Sequence, residues 1–179
     1  MAVLQISLGM IEYINSFDEF AAFLAKQGYA VVGNDHLGHG KSVQDDSWLG
    51  YFTEKEGNKV VLRDIHRLRL MTEKRFPDVP YFILGHSMGS FLVRQYLCLH
   101  GKGLAGAIIM GTGTESDGTI NAGLALINFL SFFRSDQYRS TMVRDMTYGA
   151  PYKQYECTGA RREESWLTRD VGILKKYYQ

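Results

Sequence analysis

Residues 81–89 read Tyr81-Phe82-Ile83-Leu84-Gly85-His86-Ser87-Met88-Gly89. The apolar run at the start of this stretch predicts a buried β-strand, and the residues from Met88 onwards predict a helix. Between them stands Gly-x-Ser-x-Gly, the pattern of a serine on a sharp strand-to-helix turn with its Oγ exposed. A side chain at either glycine would crowd such a turn. The alternative is a glycine-rich turn whose serine only caps the next helix, and the flanking strand and helix favour the exposed serine.

Ser87 is therefore the candidate nucleophile of an acyl-transfer reaction. The residue after it, Met88, would direct its backbone N–H at the place where the oxyanion of the intermediate forms. No other part of the chain carries an equally specific motif for nucleophilic chemistry.

Strand and helix patterns alternate from Val3 to Met110. Strands are predicted at Val3–Leu8, Tyr29–Gly33, Tyr81–Leu84 and Leu104–Met110, and helices at about 17–28, 57–75 and 88–100. Near-continuous apolar strands in this order predict an α/β fold, with a mostly parallel sheet of about four strands and helices on both faces. Because ligands bind at the carboxyl ends of such strands, Ser87 lies at the correct end of the sheet for chemistry.

Two local expectations concern the helices. Ser16 and Glu19 have the spacing of a capping box, in which the Ser16 hydroxyl accepts the Glu19 amide and opens the first helix. In the predicted helix after Ser87, helical spacing directs Leu92, Tyr96 and Leu99 inward, and Cys98 is expected in the core among apolar neighbours.

The alternation stops at about Gly111, and an apolar helix is predicted at 119–134. We divide the chain into a core at 1–114 and an incomplete helical lid segment at 115–179. The apolar run 120–133 is shorter than the about 20 residues that a membrane span needs. Its helix would line an acyl-chain channel and touch a membrane surface transiently, or it would simply pack against the sheet, and the sequence favours neither.

Composition excludes several classes of protein. The formal net charge of +1 gives no electrostatic reason to expect nucleic acid as a partner. The two cysteines form neither a disulfide framework nor a metal-spaced cluster, so no metal and no cofactor is predicted. The N-terminus lacks the basic region of a signal peptide, and the cytoplasm is the expected compartment. The sequence assigns no oligomeric state.

Four blocks, in order along the chain, resemble the α/β-hydrolase superfamily in its monoacylglycerol lipase / lysophospholipase branch, the serine aminopeptidase-like hydrolases. They are 8–12 (Leu-Gly-Met-Ile-Glu, where the family has H-G-x-x-E), 35–42 (Asp-His-Leu-Gly-His-Gly-Lys-Ser, similar to D-x-R-G-H-G-x-S), the elbow at 85–90, and 164–170 in the lid. The resemblance implies hydrolysis of a lipid-type carboxylic ester, a monoacylglycerol or lysophospholipid, through an acyl-Ser87 intermediate. It also implies that the N–H of Met10 joins that of Met88 in the oxyanion hole.

The chain departs from the family pattern at three points. Leu8 stands where the family has histidine, and Leu37 stands where it has arginine. The family's triad runs Ser, Asp, His in chain order, whereas this sequence ends within the lid block and begins close to the family's third strand. We therefore interpret it as the middle of a larger hydrolase, truncated at both ends. Loss of triad members costs about 10⁴- to 10⁶-fold in rate, so the isolated chain is expected to be weak or inactive.

Residues of this chain that would replace the missing acid and base are few. His36 and His39 lie at the correct end of the sheet, although a loop histidine bonded to backbone is the favoured interpretation. Asp117 follows the fourth strand, at a position that the family does not use for its acid. His66 and His100 are expected to be structural, and His86 is expected to point away from the serine.

Two further functions compete with the ester hydrolase. The first is a non-catalytic, truncated remnant that acts, if at all, as a binding or interaction module, with strand 104–110 as an uncovered edge. The second is nucleotide binding, because Gly40-Lys41-Ser42 follows a strand. A P-loop requires glycine at position 35, where this chain has Asp35, so this function is the least favoured.

Overall fold

The computed structural model describes residues 1–134, 137–146, 168, 170, 172 and 173. Its strands are β1 (Ala2–Ser7), β2 (Tyr29–Gly33), β3 (Tyr81–His86) and β4 (Gly106–Met110). Its helices are α1 (Asp18–Lys26), α2 (Gly57–Arg75), α3 (Met88–His100), α4 (Asp117–Phe133) and α5 (Thr141–Arg144). Short 3₁₀ turns occupy Ile14–Phe17, Gly40–Ser42 and Asp46–Trp48.

The four strands form one parallel sheet in the order β2-β1-β3-β4. The central strand β1 pairs on one side with β2 (Leu4 opposite Val31) and on the other with β3 (Leu4 opposite Phe82). The predicted parallel α/β sheet is confirmed, and the last strand is shorter than expected because it begins at Gly106 rather than Leu104. Strand β4 is an edge of the sheet formed by the described residues.

Helices cover both faces of the sheet because its strands alternate their side chains between two layers. Ile83 faces α2 and α3, in a cluster with Ile65 and Tyr96. Its neighbour Leu84 faces the opposite way, toward the side where Leu24 of α1 packs. Each fully buried aliphatic side chain contributes about 1.5–3 kcal/mol, so the two clusters hold the three layers together.

Two local expectations are wrong. The Ser16 hydroxyl donates to the Tyr13 carbonyl at 2.6 Å and closes a 3₁₀ turn. Helix α1 begins later, at Asp18, without a side-chain cap. In α3, Leu92 and Tyr96 are buried as predicted, but Leu99 is 66% exposed and Cys98 is exposed. Apolar residues surround much of this helix, so their spacing alone did not identify the inner face.

Contacts within the chain divide it into two units, Met1–Gln137 and Tyr138–Gln179. Helix α4 belongs to the first unit, and the predicted boundary after residue 114 stays a prediction. In the second unit, the hydroxyl of Ser140 accepts the Val143 amide at 3.2 Å and caps α5. The lid block at 164–170 lies outside the described residues, apart from Thr168 and Asp170.

The predicted apolar helix at 119–134 is present as α4, and its environment differs from that of α2 and α3. No residue of α4 is buried in the part of the chain that the structure describes. Phe132, near its end, is 84% exposed. Among the described helices, none combines the length and the apolar character that crossing a membrane requires.

Candidate active site

Ser87 joins β3 to α3 in a backbone conformation that non-glycine residues rarely adopt. Its φ is 51° and its ψ is −118°, and such a conformation costs of the order of 1–3 kcal/mol. Neighbouring backbone holds it there, because the Ser87 N–H donates to the Met110 carbonyl at 2.9 Å. The Ser90 hydroxyl donates to the Ser87 carbonyl at 2.6 Å. Strain of this kind persists where the surrounding structure enforces it, and it is typical of functional sites.

The two glycines of the elbow are sterically required. A Cβ at position 85 would lie 2.4 Å from the Gly89 carbonyl oxygen, and one at position 89 would lie 2.0 Å from the Ser7 carbonyl oxygen. The Ser87 side chain makes no capping hydrogen bond to α3. The structure therefore contradicts the alternative in which this serine only caps a helix.

The loop after β1 lies directly beside Ser87. A Cβ at Gly9 would approach the Ser87 Cβ to 3.1 Å. Ile11 turns this loop with a φ of 64°, and Leu8 at its base is fully buried. The structure thus brings the segment that carries Met10 to the same place as Met88, the first residue of α3. The role of these two amides as oxyanion donors stays a prediction.

Glu12 is a site residue that sequence reasoning missed. Its Oε2 accepts the Gly9 N–H at 2.5 Å. Its Oε1 lies 2.8 Å from Nδ1 of His86, the residue before the nucleophile. This second contact is a close approach of the two side chains without a hydrogen bond. The glutamate of the H-G-x-x-E pattern was the available signal, but nothing in it pointed to His86.

Both loop histidines have partners other than Ser87. Nε2 of His36 lies 3.0 Å from the Ser7 hydroxyl, and Nδ1 of His39 donates to the Leu37 carbonyl at 2.9 Å. Burial and, to a lesser extent, the neighbouring His39 lower the pKa of His36 to about 4, against the opposite effect of Asp35. His36 is therefore neutral at pH 7, and the backbone-bonded interpretation of His39 is confirmed.

The remaining candidates for acid and base lie elsewhere. His66 and His100 stack on each other with ring centroids 3.8 Å apart, at the end of α3 opposite to Ser87. Asp117 is exposed in the first turn of α4. All five histidines of the chain are among the described residues, and none of them is hydrogen-bonded to Ser87 Oγ.

The loop after β2 does not form a phosphate cradle. The Lys41 N–H donates to the Asp35 carboxylate at 2.8 Å. The other oxygen of the same carboxylate accepts the Ile14 N–H at 2.7 Å. A carboxylate thus occupies the position where a P-loop would need open backbone amides for phosphate. The nucleotide-binding alternative loses its structural basis.

The turn at Ser87 is that of the α/β-hydrolase class, in which the nucleophile stands on a strained strand-to-helix corner of a parallel sheet. Within that class the chain belongs to the family described as Serine aminopeptidase, S33, whose sequence model matches residues 1–179.

Relatives within this class include lipases and esterases. Human monoglyceride lipase is 30% identical over 127 residues, which are 71% of this chain and 34% of that protein. Rat monoglyceride lipase is 34% identical over 88 residues, which are 49% of this chain and 27% of that protein. The crystal structure of a thermostable carboxyl esterase from Bacillus coagulans in complex with glycerol superposes with a TM-score of 0.84 at 26% identity, covering 99% of this chain.

The chain spans only part of these relatives. It covers 56% of the Bacillus esterase and 27% to 34% of the two mammalian lipases. The resemblance to α/β-hydrolases and to monoacylglycerol lipases is confirmed at the level of family and fold.

Proposed function

We propose that this chain carries the nucleophile of a serine hydrolase that cleaves carboxylic esters of lipids, such as a monoacylglycerol or a lysophospholipid. One observation carries the proposal: Ser87 stands at positive φ with the Gly9–Met10 loop packed against it. This arrangement exposes a hydroxyl beside backbone amides from two loops, which acyl transfer requires.

In the proposed reaction, Ser87 Oγ attacks the ester carbonyl carbon while its proton passes to a base. The carbonyl oxygen becomes an oxyanion, which the N–H groups of Met88 and Met10 stabilise. The C–O bond to the alcohol then breaks, and the alcohol leaves with the proton from the base. Water then attacks the acyl-serine through the same steps, which releases the carboxylic acid and restores Ser87.

The base in this proposal is none of the five histidines of this chain, because none is hydrogen-bonded to Ser87 Oγ. A serine hydroxyl without a base is a poor nucleophile. We therefore propose that the isolated 179 residues turn over esters weakly or not at all.

A lipid-type substrate is supported by two independent features. Helix α4 presents exposed apolar side chains, including Leu124, Ile127 and Phe129, and such a surface suits an acyl chain or a transient contact with a membrane surface. The mammalian relatives named above are monoglyceride lipases.

Covalent labelling tests this proposal. A fluorophosphonate probe is applied to the native protein that contains these residues, to Ser87→Ala, and to Ser47→Ala, which changes an exposed loop serine. We expect equal labelling of the native protein and Ser47→Ala, with none of Ser87→Ala. We also expect the native protein to hydrolyse a long-chain monoacylglycerol. Absence of labelling in the native protein, or labelling that survives in Ser87→Ala, would support the non-catalytic alternative instead.

A further inference from the structure

Glu12 connects two loops that come from different strands. One carboxylate oxygen accepts the Gly9 N–H at 2.5 Å, within the loop after β1. The other lies 2.8 Å from Nδ1 of His86, the last residue of β3 and the residue before the nucleophile. The two loops that adjoin Ser87 are therefore joined through a single side chain.

Glu12 contacts the turn of the loop after β1 through its backbone as well as its side chain. This turn is closed by the Glu12 N–H, which donates to the Gly9 carbonyl at a long 3.4 Å. Ile11 holds a positive φ of 64° in the middle of this turn, a conformation that disfavours the turn in the absence of other contacts. Leu8 is buried and offers no polar group at the base of the loop. The Glu12 carboxylate thus contributes a direct polar contact to this turn.

The orientation of the Met10 amide depends on the same tie. Because the Gly9 N–H is occupied by Glu12, it is not available as a donor to an oxyanion. The Gly9 carbonyl, which shares its peptide unit with the Met10 N–H, accepts the Glu12 N–H, so the Glu12 side chain and backbone together restrain Gly9 on both sides. A donor prearranged in this way needs no reorganisation when the oxyanion forms.

Burial strengthens both contacts. The Glu12 side chain is 18% exposed and that of His86 is 32% exposed. The Gly9 contact is a hydrogen bond, and hydrogen bonds to an ionised carboxylate are about twice as strong as neutral ones. Gly111 lies on the far side of the His86 ring, where a Cβ would approach Cδ2 to 3.6 Å. The imidazole is therefore confined between the loop after β4 and Glu12.

We infer that Glu12 is a positioning residue for the oxyanion hole, which holds the Gly9–Met10 peptide against the nucleophile elbow through Gly9 and His86. This inference rests on the proposed function, since an oxyanion hole has meaning only where Ser87 is acylated. Glu12 itself does not touch the reacting atoms.

The experiment compares Glu12→Ala, Glu12→Gln and His86→Ala with the native protein, and Glu19→Gln serves as control because Glu19 is exposed on α1. Saturation kinetics of fluorophosphonate labelling separate the affinity constant KI from the rate constant kinact. We expect Glu12→Ala to lower kinact about 100-fold, the effect of a misplacement near 1 Å, with KI unchanged. Glu12→Gln keeps a hydrogen-bond acceptor for the Gly9 N–H, so its kinact should fall less than that of Glu12→Ala. Glu19→Gln matches the native protein.

A second readout does not require activity. Amide hydrogen exchange at Gly9 is expected to accelerate about 10-fold or more in Glu12→Ala and to change little in Glu12→Gln. An unchanged Gly9 exchange rate, or an unchanged kinact in Glu12→Ala, would overturn the inference. If the native protein is not labelled at all, the proposed function fails, and the exchange rate alone then decides whether Glu12 holds the loop.

Discussion

The nucleophile elbow at 85–90 and helix α4 at 117–133 both contain glycine and apolar residues, yet their surroundings differ completely. At the elbow a Cβ on Gly89 would overlap the Ser7 carbonyl oxygen at 2.0 Å, whereas a Cβ on Gly123 in α4 would meet nothing within 4 Å. The elbow is held from three strands, and α4 has no buried residue among those described. Of these two regions, the elbow is therefore the more tightly packed.

The comparison also separates two tasks that the proposed lipid-ester hydrolysis requires. Positioning a nucleophile and its oxyanion donors requires fixed geometry, because a small displacement costs much of the rate. Contact with an acyl chain or a membrane surface requires only apolar area. The crowded elbow fits the first task and the exposed face of α4 fits the second.

The largest effect is expected from Gly89→Ala. Its methyl group would overlap the β1 backbone at Ser7, which cannot move without disturbing the sheet centre. Overpacking against side chains costs about 1–3 kcal/mol, so a clash with backbone should lower the free energy of unfolding by about 3 kcal/mol or more. Denaturant titration measures this change. A loss below about 0.5 kcal/mol, the size of a surface substitution, would mean that the elbow is not crowded.

The second prediction concerns the contribution of His36 to the pH dependence of the unfolding free energy. Its expected size is similar to that of Gly89→Ala or smaller. The His36 pKa of about 4 in the folded state lies below the unfolded value of 6.5, so the unfolded chain binds more protons between these two values. Stability from this group is therefore complete above about pH 6.5 and is lost as the pH falls toward 4, by about 3 kcal/mol in total. Helix α4 contains no histidine and adds nothing to this dependence.

The measurement is the difference in unfolding free energy between the native protein and His36→Gln as a function of pH. Taking the difference removes the contribution of carboxylates that titrate in the same range. We expect the two curves to converge as the pH falls from 6.5 to 4. Parallel curves would show that His36 is not held neutral in the folded protein.

Much of the elbow region could be predicted from sequence because its requirements are local. The strand, the serine and the two glycines of 85–89 are consecutive, and steric crowding leaves few other residues acceptable there. The succession of strands and helices along the chain followed from the apolar runs and their spacing. The contact between Glu12 and His86 could not be predicted in this way, since it depends on how β1 and β3 pair.

The errors have a physical cause as well. Apolar residues surround most of α3, so Leu99 and Cys98 fit an inward face by spacing although both are exposed. Ser16 had a capping pattern, but its hydroxyl bonded to the Tyr13 carbonyl instead, as serine side chains compete for nearby backbone. Helix α4 was predicted in position but not in environment, because an apolar helix fits a lid and a core equally well.

The smallest effect, opposite in sign, is expected from Gly123→Ala in α4. Glycine in a helix interior is less stable than alanine by roughly 0.5–1 kcal/mol, and a Cβ at Gly123 meets no other atom within 4 Å. The substitution should therefore raise the free energy of unfolding of the unit that contains α4 by about this amount, and leave fluorophosphonate labelling of Ser87 unchanged. Denaturant titration of Gly123→Ala and of Gly89→Ala under the same conditions measures both changes. Because the substitution is the same in the two regions, the difference between the two results reports only the surroundings. A destabilisation by Gly123→Ala would show that α4 is packed as tightly as the elbow, and the contrast between the two regions would then disappear.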